Sequence, residues 1–184
     1  MTRALEALDA ADWADMGETD MLLRRILEDV AREPGALATL VRRSLEDHDH
    51  VSASSRTADG FSLLLHRSPE AALELRLVGR PPCAGGPLRA DGVHRTALNL
   101  AGEYRHIFYG DDGAEPEFIA DEGPGVAYTL HAEGVHALLG RDATIFLEFS
   151  GSPDGDRRPA APSGGLCCTD LAALQSELQQ RGVL

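Results

Sequence analysis

The feature that most restricts this chain is a succession of seven short apolar runs, at 61–66, 73–78, 96–100, 104–109, 126–130, 135–139 and 144–149. Runs of five or six residues have the length of strands and are too short for ordinary helices. Between them lie Ser68-Pro69, Pro81-Pro82, and the glycine- and acid-rich stretches 110–113 and 121–125, where a backbone can reverse direction. Many short strands cut by such turns make an antiparallel sandwich or barrel.

The two ends read differently. Met21-Leu22-Leu23, Ile26-Leu27, Val30, Leu37, Leu40-Val41 and Leu45 recur at three- and four-residue spacing, and Pro34-Gly35 divides them into two helices. This apolar stripe requires a surface to pack on. Asp47-His48-Asp49-His50 closes the second helix; alternate residues do not share a helix face, so this His-x-His reads as a polar helix end rather than a ligand pair. A polar link, 51–59, leads into the strands. Near the other end, 152–165 is rich in Pro, Gly and Ser, and Thr169 to Gly182 reads as a terminal helix. The expected organisation is a helical extension over 1–50, a β-barrel over 51–151 and a linker with a C-terminal helix over 152–184, together one structural domain. A chain of 184 residues, 43% hydrophobic, suits one core better than two.

Composition removes several function classes. A formal charge of -13 repels phosphate backbones and anionic lipid, so neither nucleic acid nor a membrane surface is an expected partner. All 17 basic residues are arginines, which removes Schiff-base lysine chemistry and a P-loop lysine. The start lacks a signal-peptide pattern and no stretch approaches the ~20 apolar residues of a membrane span, so a cytoplasmic location is expected. Cys83, Cys167 and Cys168 are odd in number and lack zinc spacing, as reduced thiols would. His66 and His131 stand alone, and no serine sits in a Gly-x-Ser-x-Gly elbow.

Chemistry concentrates in 87–109, where Arg89, Asp91, His94, Arg95, Tyr104 and His106 follow a proline turn, with His136 one hairpin further on. The order Leu-His-Arg-Ser-Pro, apolar strand, proline-rich turn, Leu-Ala-Gly-x-Tyr-Arg-His, Tyr-x-Leu-x-x-x-Gly-Val-His and Thr-x-x-Leu-x-Phe resembles the cupin superfamily, in its bacterial branch similar to cysteine dioxygenase, over about 61–150. The resemblance implies a mainly β fold: a cupin-like jelly-roll barrel, with helices at both ends as additions. It also implies a divalent metal in the barrel mouth, usually iron, with nickel, manganese or zinc as alternatives, and a homodimer. The family's second motif is kept as Glu133-Gly134-Val135-His136, which marks His136 as site-lining. Its first motif departs: the His-x-His pair falls on Arg89 and Asp91 and the glutamate on Arg95, and a guanidinium has no lone pair for a metal.

Two readings follow. In one, a metal is kept by rearranged ligands, with Asp91, His94 or His106 joining His136. Alternation from Asp91 turns Val93 and Arg95 inward and His94 outward, so His94 enters this set only through a bulge near Gly92. In the other, the barrel is metal-free. Arg89 and Arg95 then offer planar forks to a small, anionic molecule, Tyr104 assists its binding, and Asp91, His106 and His136 act as acid, base or anchor. The expected function is a cupin-fold small-molecule enzyme, either a dioxygenase-like oxidoreductase or a metal-free lyase or isomerase. The competing class is a non-catalytic ligand-binding or scaffold protein.

Overall fold

A computed structural model of the chain describes residues 2–57, 60–79, 88–89, 92–110, 115–140, 142–153 and 165–184. Four helices come first: α1 (Thr2–Asp9), α2 (Met16–Arg32), α3 (Pro34–Glu46) and α4 (His48–Ala53). Ten strands follow: β1 (Ser55–Thr57), β2 (Gly60–Arg67), β3 (Ala71–Val78), β4 (Leu88–Arg89), β5 (His94–Ala101), β6 (Tyr104–Tyr109), β7 (Pro116–Glu122), β8 (Ala127–Leu130), β9 (Val135–Gly140) and β10 (Thr144–Gly151). Helix α5 (Cys168–Gln180) closes the described chain. None of these helices is long and apolar enough to cross a membrane.

All strand pairs are antiparallel, in one sheet of order β1-β2-β3-β10-β5-β8 and a second of order β4-β9-β6-β7. From β3 onward the chain passes back and forth between the sheets, and the orders β3-β10-β5-β8 and β4-β9-β6-β7 are those of a double-sheet jelly roll. The fold is therefore the expected mainly β jelly roll with N-terminal helices and a C-terminal helix. The corner between β5 and β6 requires Gly102: its φ is +90°, and a Cβ there would lie 2.6 Å from the Ala143 carbonyl oxygen.

The main apolar core lies between the larger sheet and the helices. Leu73, Leu75 and Leu77 of β3 and Ile145, Leu147 and Phe149 of β10 meet Leu23, Ile26, Leu27 and Val30 of α2, Leu37, Leu40 and Val41 of α3, and Leu174 and Leu178 of α5. Each such side chain contributes about 1.5–3 kcal/mol on burial, so the helices and the sheet stabilise one another. Trp13 joins this cluster and presses on Gly151, where a Cβ would stand 2.0 Å from the indole Cδ2. The alternate residues of β3, β5 and β10 face the second sheet. There the apolar cluster is small: Ala97, Tyr104, Tyr128 and Phe146, with Val78 and Leu138 against it. The same inner face also carries Glu74, Arg76, Arg95 and Glu148.

Four elements depart from the sequence reading. His48 to His50 do not close α3; Asp47 leaves the helix and accepts from the Asp49 and His50 amides, starting the separate α4. Met21 and Leu22 lie outside the buried stripe, at 67% and 40% exposure, and only Leu23 of that trio enters the core. Strand β1 occupies part of the expected polar link. Strand β7 includes Asp121 and Glu122, which read as turn residues; it is an edge strand paired only with β6, so its outward acidic side chains stay in water.

Candidate functional site

Alternation along three neighbouring strands of the smaller sheet builds the site. Tyr104, His106 and Phe108 share one face of β6. Glu122 on β7 lies directly opposite Tyr104, and His136 on β9 lies directly opposite Phe108. Backbone pairing thus brings a carboxylate, two imidazoles and a phenol onto one face, although 30 residues separate His106 from His136.

These side chains form a continuous polar chain. The Tyr104 hydroxyl donates to Glu122 Oε2 in a short hydrogen bond. His106 Nδ1 lies 3.6 Å from the same oxygen. On the other side of the ring, His106 Nε2 is 3.0 Å from His136 Nδ1. His106 is 0% exposed. Its ring stacks on Phe108 at 3.9 Å between centroids and meets the edge of Tyr128 at 4.6 Å, so it cannot swing freely.

The carboxylate beside Nδ1 favours a proton on that nitrogen, which leaves Nε2 to accept from His136 Nδ1–H. His136 then presents an unprotonated Nε2. Burial, followed by the charge of His106, pushes the His136 pKa down to about 4, so the ring is neutral at physiological pH. Burial raises the pKa of Glu122, but His106 and the Tyr104 hydroxyl outweigh it and hold the carboxyl below its usual value. Burial and the bond to Glu122 push the Tyr104 phenol up, which keeps it a hydrogen-bond donor.

The larger sheet supplies the facing wall. Glu148 of β10, 1% exposed, accepts from Arg76 Nη1 of β3 at 2.9 Å and from Arg95 Nη1 of β5 at 2.6 Å. Burial raises the Glu148 pKa, but the two guanidiniums outweigh it and keep the carboxyl ionised. Tyr128 stands between this triad and the histidines; burial and the charge of Glu148 push its phenol up. The charges of Glu148, Arg95 and Arg76 all act on His136, so both walls bear on one interior.

The sequence-derived site residues divide accordingly. His106, His136 and Tyr104 come together, with the Tyr104 hydroxyl spent on Glu122 rather than offered to a ligand. Arg95 faces the interior but holds Glu148. His94 does not join them. It shares the face of Thr96, whose hydroxyl reaches Asp20 of α2, and its Nδ1 accepts from the Ala132 amide at 3.1 Å beside the edge of His131. Strand alternation directs it there, and β5 pairs with β10 in unbroken register from His94 to Asn99. Arg89 sits on β4 with its backbone paired to Val135, next to His136; its side chain, like Asp91, lies outside the described residues. Arg76, Glu122, Glu148 and Tyr128 escaped selection. The signal for Arg76 and Glu148 was present as charges alternating with leucine, isoleucine and phenylalanine in two strands, a pattern that ordinarily marks a solvated face.

A divalent metal of the cupin type takes three or more protein ligands. Among the described residues no group of three His, Cys, Asp or Glu side chains could hold one. The chemistry of the donors says why: His106 Nε2 is held by His136, its Nδ1 faces Glu122 at 3.6 Å, Glu122 is engaged by Tyr104, and His94 is on the opposite face of its sheet. These residues do not fit a metal centre that includes His94, His106 and His136.

No protein-family model matches the sequence, and no curated protein matches it. Solved structures include chains with partial likeness to this one. A cupin superfamily protein from Desulfitobacterium hafniense is 18% identical, covering 53% of this chain and 82% of its own, with a TM-score of 0.41. KdgF from Halomonas sp. is 16% identical over 57% of this chain and 88% of its own, at 0.42. Ectoine synthase from P. lautus is 14% identical over 74% of this chain and 82% of its own, at 0.47. At these identities and TM-scores the likeness assigns no activity, and the jelly-roll description rests on the strand order itself.

Proposed function

We propose that the space between the two sheets binds a small organic molecule and moves a proton to or from it, with His136 as the exchanging group. One observation carries this reading: a buried carboxylate–imidazole–imidazole chain ends on a neutral histidine inside a jelly roll. As a base, His136 takes a proton at Nε2 while its Nδ1–H shifts toward His106, so the positive charge spreads along a chain that Glu122 terminates. The reaction class is a proton-transfer lyase or isomerase.

The ligand is expected to be small and anionic. Arg76 and Arg95 outnumber Glu148, but Glu74 on the same strand face balances the count, so direction rather than net charge gives the preference. Among the described residues Arg76 reaches Glu148 through Nη1, and its other N–H edge is assigned to a ligand carboxylate. The dioxygenase-like alternative, working through iron, nickel, manganese or zinc, requires His106 to turn from both of its partners. Its cysteine-dioxygenase form rests on the sequence order alone. The homodimer is a further expectation, and gel filtration at the mass of one subunit would remove it.

The test pairs metal analysis with ligand binding. Tag-free protein purified without chelators is assayed by ICP mass spectrometry, then screened against small carboxylic acids and their amides by ligand-observed NMR, alongside His136→Gln and Arg76→Gln. The reading expects acids over amides, loss of that preference in Arg76→Gln, and turnover of a bound acid that disappears in His136→Gln. Near-stoichiometric metal that vanishes in His136→Gln would overturn it. Binding without turnover of any bound acid would make the chain a ligand-binding protein instead.

A further inference from the structure

A cleft of about 180 Å³ opens where β6 begins and β7 ends, lined by Glu103, Tyr104, Asp121, Glu122 and Gly123. Its floor includes the same Glu122 that faces His106. We propose that this cleft is the solvent port of a proton path running along the inner face of the smaller sheet, from Glu122 through His106 to His136. This rests on the proton-transfer reading above.

Three observations support the path. His106 is wholly buried, yet its Nδ1 is among four buried side-chain nitrogens and oxygens without a hydrogen-bond partner among the described residues. An orphan of that kind in a polar chain requires a reason, and among the described residues its ion-pair acceptor is Glu122 Oε2, at 3.6 Å. A few tenths of an ångström of side-chain movement closes this into a hydrogen bond. Imidazole is also the side chain that takes a proton on one nitrogen while releasing one from the other.

The step balances. A proton from the substrate forms N–H at His136 Nε2, the His136 Nδ1–H bond breaks as its proton passes to His106 Nε2, and the His106 Nδ1–H bond breaks as that proton passes to Glu122. The carboxyl, normally held ionised by its neighbours, returns the proton to water in the cleft. Glu103 also lines the cleft, together with Asp121, which is paired with Arg105 at 2.8 Å. Substrate can then fill the space between the sheets without blocking proton exchange. Glu122 touches no substrate in this scheme and acts as a positioning and relay residue.

The test reads water exchange of the His106 ring proton by NMR of the ¹⁵N-labelled full chain at pH 7, comparing the parent with Glu122→Gln and Gly123→Trp. Gly123 lines the cleft and a Cβ there meets nothing within 4 Å, so tryptophan at this position is the obstruction used. Both variants are expected to slow exchange, by on the order of 100-fold, the lower range for removing a positioned proton-transfer group. Unchanged exchange in Gly123→Trp overturns the port, whatever Glu122→Gln does, and covers the case in which Glu122→Gln fails to fold. If exchange slows as expected but His136→Gln leaves ligand turnover intact, the path stands and the catalytic reading falls.

Discussion

Replacing Glu148 with glutamine tests the electrostatics of the inner wall. The carboxylate is 1% exposed and bridges guanidiniums at 2.6 and 2.9 Å. Removing one partner of a buried ion pair costs about 3–5 kcal/mol, because the other charge is left without compensation. Here Arg76 and Arg95 keep 34% and 21% of their side chains exposed and can recover some hydration, which places the expected loss near the lower end, about 3 kcal/mol. For a domain of this size that lowers the melting temperature by roughly 6–12 °C. The pH dependence supplies a sharper check. The folded carboxyl titrates below its ordinary value of 4.5, so in acid the unfolded state binds the extra proton. The contribution of Glu148 is therefore complete above that value and is lost as pH falls through the folded pKa. Urea titrations followed by circular dichroism at pH 7 and pH 3 should show a large gap between parent and variant at neutral pH and a smaller one in acid. A gap below about 1 kcal/mol at pH 7, or one that widens on acidification, would refute the ion-triad account.

Three further outcomes follow from the same geometry. The His136 Cε1 proton should titrate in NMR with a midpoint near its folded pKa of about 4; since the unfolded ring titrates near 6.5, His136 destabilises the fold progressively as pH falls from 6.5 toward 4, and His136→Phe should remove that part of the pH dependence. Gly151→Val should displace Trp13, whose ring would stand 2.0 Å from the new Cβ, costing about 1–3 kcal/mol. The chain has one tryptophan, so unchanged emission would contradict that contact. Leu27→Ala, at a side chain 0% exposed between α2 and the larger sheet, should cost about 2–5 kcal/mol in urea denaturation; a loss under about 1 kcal/mol would mean that the helices are only appended to the barrel.

Much of the architecture was legible in the residues. Period-two runs at 73–78, 104–109 and 144–149 became strands, and the three- and four-residue spacing of Leu23, Ile26, Leu27 and Val30 became the buried face of α2. His136 and His106 were selected as site residues, and they do meet. Within β5, alternation sets His94 on the face opposite Arg95, whereas Asp91, from which its facing was counted, lies outside the described residues.

Sequence alone determined the local pattern, because alternation and helical periodicity are properties of adjacent residues. Tertiary structure decided which face was which. The larger sheet is covered on both sides, so Leu75 and Leu147 meet helices while Arg76 and Glu148 turn toward the second sheet, and the same alternation would have suited a strand wetted on one face. Glu122 entered the site because β7 pairs with β6 in a register that sets it opposite Tyr104. That register arises from hydrogen bonds between segments distant in the chain, and the facing of His106 and Glu122 could not be counted across the turns that separate them.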